Sequence, residues 1–217
     1  EEGPLAGSGL FGTILEGAVV KNLSVSGAVL PSGIQKCLGG ITGYNCGTID
    51  NCIWDGTVQA HARVGGIAGH NMPQGIITGC TAEGNILADA YAGGIAGYNE
   101  GLIQDCTNQS AVNTVYTDVP YTADMLTNTL ESILMTGQLE AAENVSVRSY
   151  TGGIAGYSSG IIRHCINKEN IGYEHTGYHT GGIAGGSNGL INGCTNEGDI
   201  FGRKNVAGIV GQQQPYM

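Results

Sequence analysis

Five cysteines, Cys52, Cys80, Cys106, Cys165 and Cys194, recur at one position of a repeating sequence, and two more, Cys37 and Cys46, lie outside that row. Thiols of this kind form disulfides, ligate metals or attack electrophiles. A zinc site needs close-spaced ligands such as CxxC or paired histidines, and neither accompanies the row. Leu23 fills the same slot in the opening repeat, which marks a packing position and predicts a ladder of small, buried, unreactive thiols. Bridges between neighbouring repeats are disfavoured, because stacked equivalents have parallel Cβ vectors. Cys37 and Cys46 fit either free thiols or a local pair.

The carboxylates are equally dispersed. Hydrolysis or elimination on a polysaccharide needs two carboxylates, or a carboxylate with a basic partner, converging in one cleft. Asp55, Glu83 and Glu197 share a slot, but Gln109 and Lys168 interrupt it, so the row reads as a solvated corner. His175 and His179 are four apart with Gly177 between them, a poor helical metal pair. No catalytic residue, metal site or cofactor is expected. Tyr44, Tyr98 and Tyr157 share another slot with His70 and Gly186. A row of stacked aromatics on a flank either contacts a ligand such as a sugar ring or covers a turn edge. Asn108, Asn167 and Asn196 form a third row, whose stacked amides would satisfy one another.

These rows exist because the phrase GGIAG recurs at 65–69, 93–97, 152–156 and 181–185, with looser copies beginning at Gly39 and Ala207. Each ladder cysteine except Cys80 falls 12 residues after the second glycine of its phrase. Ile49, Ile77, Ile103, Ile162 and Ile191 precede the cysteines, and Val58, Ile86, Val112, Ile171 and Ile200 follow them. Apolar stations separated by Gly and Asn predict one coil of stacked short strands. The expected fold is all-β, a parallel β-helix-like solenoid of about six to seven rungs of roughly 26 residues, with one helical insertion. Gly27, Gly56, Gly84 and Gly198 are expected to mark a turn between strands, with Ser110 and Glu169 as its exceptions.

The whole chain, 1–217, reads as a single solenoid domain and as a fragment of a longer protein. An insertion at 113–150 interrupts it. Within it a helix is expected near 122–137, with Leu126, Leu130, Ile133 and Leu134 on one face. Tyr116 and Tyr121 in the insertion complete the candidate ligand contacts.

Composition narrows the partners. The chain has 39 glycines but only five prolines and no Gly-X-Y period, which excludes collagen. A net charge of −10 repels phosphate backbones and argues against nucleic acid. No apolar run approaches the ~20 residues of a membrane-spanning helix, so no membrane insertion is expected.

The segment GGIAGYNEGLIQDCTNQS at 93–110 resembles the GLUG-motif repeat of bacterial surface and secreted proteins. The resemblance covers most of the chain outside the insertion. It implies an extracellular or cell-surface, non-catalytic domain serving adhesion, ligand binding or scaffolding. Its implied partners are a host protein or glycan and adjoining domains of the same polypeptide. Two alternatives stay open: an accessory N-terminal-type region of a secreted metallopeptidase, and a β-helix polysaccharide-active enzyme. The zinc-peptidase signature HExxH does not occur, and no catalytic residue is carried over.

Overall fold

A computed structural model describes residues 7–31, 35–114, 149–173 and 177–215. The chain winds through three parallel sheets in turn and then begins again one coil further along, making a β-solenoid of about six turns. Among the described residues the first sheet has seven strands, among them Thr42–Asn45, Ala68–Asn71, Ala96–Asn99, Ala155–Ser158 and Ala184–Ser187. The second has six three-residue strands, such as Ile76–Thr78 and Leu102–Gln104. The third has ten, including the long strands Ile53–Gly65 and Thr81–Gly93.

Register follows from the slots. Ile49 pairs with Ile77, Ile77 with Ile103, Ile103 with Ile162 and Ile162 with Ile191. The first four of these isoleucines are fully buried. Each such side chain contributes roughly 2 kcal/mol by leaving water, and it does so only because a neighbouring coil covers it. Ile86 and Val58 line the interior from the third sheet in the same way.

The glycines of the repeated phrase are required by close packing. A Cβ on the first (Gly93, for example) would overlap the Ala96 carbonyl oxygen and the backbone of the next coil. A Cβ on the second would strike an inward side chain of the third sheet: Trp54 at Gly40, Ala82 at Gly66, and Asn108, Asn167 and Asn196 at Gly94, Gly153 and Gly182. The third glycine, as at Gly97, lies against the Arg63 backbone of the preceding coil. The phrase is thus the place where two sheets meet with no room for side chains.

Two corners of each coil use left-handed backbone at non-glycine residues. One precedes the cysteine slot, at Asn22, Asn51, Asp105 and His164, with Gly79 and Gly193 in the same position. Each cysteine thiol reaches back across this corner to the carbonyl two residues earlier, from 3.1 Å at Cys106 to 3.4 Å at Cys52 and Cys194. The same carbonyls accept a backbone N–H from the neighbouring coil, as Asn22 donates to Asp50 at 3.0 Å, so the S–H adds a second, weak bond at this corner. The other corner lies two residues before the glycine pair, at Cys37, Arg63, Tyr91, Tyr150, His179 and Asn205.

The expected turn at Gly27, Gly56 and Gly84 is corrected by this structure. Strands Ser24–Val29, Ile53–Gly65 and Thr81–Gly93 run through those positions. Gly27 and Gly84 have positive φ within the strands, and a Cβ on Gly56 or Gly84 would overlap the carbonyl of the glycine stacked beside it. A glycine row there relaxes the strand locally without ending it. Ser110, one of the exceptions, is also in a strand, with its N–H donated to Asn108 Oδ1 at 3.0 Å.

Residues 115–148 lie outside the described residues, and with them the expected helix near 122–137, Tyr116 and Tyr121. The flanking strands Thr107–Val112 and Ser149–Gly152 both pair with Thr81–Gly93, in its first and last parts. The chain therefore leaves and re-enters the same coil.

Candidate functional site: an aromatic seam

Outward from the first sheet, Tyr44, His70, Tyr98 and Tyr157 stack in register, followed by Gly186 and Gln212. Ring centroids are separated by 5.8 Å, 5.0 Å and 5.3 Å along this column. The left-handed corner supplies a second column beside it. Tyr91 stacks on Tyr150 at 5.2 Å with ring planes 1° apart, and Tyr150 stacks on His179 at 4.7 Å. The columns touch edge to face, Tyr91 on Tyr98 at 5.7 Å and Tyr150 on Tyr157 at 5.5 Å. The result is a continuous aromatic seam along the solenoid, half-buried at each tyrosine.

Sequence spacing brought Tyr44, Tyr98 and Tyr157 together, and the structure adds Tyr91, Tyr150 and His179. The missed column had a signal, a large side chain two residues before the glycine pair. Its residue types differ from coil to coil, so it did not read as a row. Gly186 has its own reason: a Cβ there would press on the rings of Tyr150 and Tyr157 at 2.7 Å to 2.9 Å.

Polar groups edge the seam. The Arg63 guanidinium lies over the Tyr98 ring at 5.2 Å. His70 Nε2 and a Glu100 carboxylate oxygen are 2.8 Å apart. Tyr157 donates its hydroxyl to Gln214 Oε1 at 2.9 Å, and Asn205 Nδ2 is 2.9 Å from His179 Nδ1. Burial, then its hydrogen bond with Cys37, pushes the Tyr44 phenol up to about 12. Burial likewise raises Tyr98, Tyr150 and Tyr157, so these phenols stay neutral. His70 is lowered by burial, which outweighs the opposing hydrogen bond and charge of Glu100. His179 is lowered by burial and then by Lys204.

The other rows are internal. All seven cysteines are free, which resolves Cys37 and Cys46 as thiols. Cys52, Cys80, Cys106 and Cys165 are buried. Burial, with hydrogen bonds to Cys165 and Cys80, pushes Cys106 well above the usual thiol range. Cys80 and Cys165 are drawn the other way chiefly by bonding with neighbouring thiols, Cys106 for both and also Cys194 for Cys165. In an isoleucine-lined interior burial favours the neutral form along the row. Asn108, Asn167 and Asn196 form the expected amide ladder, 2.7 Å per step. A second buried ladder, Asn45 to Asn71 to Asn99 to Ser158, was not anticipated. Asp55 and Glu83 pair in register with Gln109 on the third sheet, facing outward.

Residues 60–87 match the family Glug, the GLUG motif. That segment is a GLUG repeat. The matched GLUG segment spans one coil, holding one copy of the phrase, Cys80 and Ile86, and the next coil pairs with it in the same register. No curated protein and no solved structure matches the chain.

Proposed function

We propose that this chain is a non-catalytic, extracellular or cell-surface repeat domain whose solenoid presents the aromatic seam to a ligand in adhesion. The observation that carries the reading is the seam itself. Tyr91, Tyr98, Tyr150 and Tyr157 stand outside the isoleucine core in mutual contact, beside Arg63, Glu100 and Gln214. Apolar rings edged by a few polar groups are the usual make-up of a recognition surface. The GLUG motif is a repeat motif and no catalytic family, which supports the non-enzymatic part. Adjoining domains of the same polypeptide would anchor or use the binding.

The test is a screen of glycan and surface-protein arrays with the wild-type chain and a folded Tyr91→Ser/Tyr150→Ser variant. Ligands held by the wild type and lost by the variant support the reading. Empty arrays, or binding indifferent to the substitutions, favour a pure spacer.

A further inference from the structure

Parallel rings in van der Waals contact lie about 3.5 Å apart face to face, whereas Tyr91 and Tyr150 have centroids 5.2 Å apart at an interplanar angle of 1°. The rings are therefore slipped like shingles, and each leaves part of a face uncovered. The first column repeats the step with Tyr98 and Tyr157, at 5.3 Å and 22°. The contacts before it differ, Tyr44 on His70 tilted at 41° and the buried His70 on Tyr98 edge to face at 70°, so the shingled step runs over three coils, those of Tyr98, Tyr157 and His179. A ligand that uses the whole seam must present an apolar face at every coil spacing, about 4.8 Å.

We infer that the seam takes a linear, uncharged polysaccharide of equatorially linked hexoses, lying along the solenoid axis with one sugar ring per coil. This rests on the reading of the seam as a binding surface. Equatorial linkages keep such a chain extended, advancing by about one coil spacing per ring. The C–H faces of the sugars meet the shingled tyrosines. Their hydroxyls meet the groups that edge the seam, Arg63, Glu100, Asn205 and Gln214. An anionic glycan is opposed by the net charge of −10. A polyproline helix advances about 3.1 Å per residue with three residues per turn, repeating its face about every 9 Å. It would engage only alternate coils of a seam that repeats at every one.

The experiment is calorimetric titration with β-1,4-linked gluco-oligosaccharides of roughly two to six sugars, lengths that bracket the seam at about 4.8 Å per coil. A proline oligopeptide and an oligogalacturonate are run alongside. Affinity is expected to rise with each added sugar until the seam is filled and then to level off. Tyr150→Ala is expected to weaken the longest oligomer about tenfold or more, with an unchanged circular dichroism spectrum. Absence of binding by the longest glucan at millimolar concentration, length-independent affinity, or tighter binding of either comparison ligand overturns the inference. If the glucan fails while array ligands remain sensitive to Tyr91→Ser/Tyr150→Ser, the seam binds a different class of ligand. If neither shows dependence on the seam, the proposed function falls as well.

Discussion

At the scale of single residues, the phrase glycines and the seam histidines make distinct predictions. Gly93→Ala places a methyl group against the Ala96 carbonyl and the adjacent coil, where backbone has to move. It should cost about 3 kcal/mol or more, read as a fall in the unfolding midpoint. Gly208→Ala, with nothing within 4 Å of the added carbon, should stay within about 0.5 kcal/mol of wild type. Equal effects of the two would contradict the packing account. His70 and His179 both resist protonation in the fold, chiefly through burial. The unfolded chain therefore takes up protons more readily than the folded one as pH drops below about 6.5. The stability that this burial contributes is present above that pH and is lost as pH falls through the lower folded values. Thermal melts from pH 8 to pH 5 should show the decline (a span set by the ordinary histidine value of about 6.5), and His70→Gln should flatten it. A pH-independent midpoint would contradict it. Tyr44, Tyr98 and Tyr157 were legible in the sequence because one residue type recurs in one slot. Tyr91, Tyr150 and His179 were not, since a left-handed φ of 57° to 61° at a non-glycine residue carries no compositional mark.

At the scale of the element, the ladders decide how a coil holds its neighbours. Asn71 donates to Asn99 and accepts from Asn45, both at 2.8 Å and both buried. Asn71→Ala leaves an amide donor above and an acceptor below without partners, and should cost about 2 to 4 kcal/mol. A loss under about 0.5 kcal/mol would show that water or the neighbours satisfy them. The cysteine row predicts a chemical result. In native protein the partly exposed Cys46 and Cys194 should react with a thiol reagent, and the five buried thiols only after denaturation. Rapid reaction of all seven in native protein would contradict the burial, and fewer than seven reactive thiols in denaturant would contradict the free state. Strand identity was legible from the isoleucine and valine stations. The extent of the third-sheet strands was not: Gly56 and Gly84 read as turn residues, yet stacking against one another's carbonyls keeps them in strand.

At the scale of the molecule, the coil is the unit of stability and, under the proposed function, of recognition. Neighbouring coils bury the isoleucines, and the same stacking sets the spacing of the seam. The period and parallel architecture were readable from GGIAG because a phrase that leaves no room for side chains tolerates little variation. The seam was only half readable, because one of its columns is specified by backbone conformation. The central claim is that the wall and the seam are separable: the core holds the fold and the rings are there for contact. Thermal unfolding of the Tyr91→Ser/Tyr150→Ser variant tests it most directly. The lost aromatic pairs are worth roughly 0.5 to 1.5 kcal/mol each, and a chain of this size shifts by about 2 to 4 °C per kcal/mol. With four such pairs lost, the account predicts a folded β-solenoid that melts cooperatively within about 25 °C of wild type. Loss of the cooperative transition, or failure to fold, would contradict it and make the seam part of the wall.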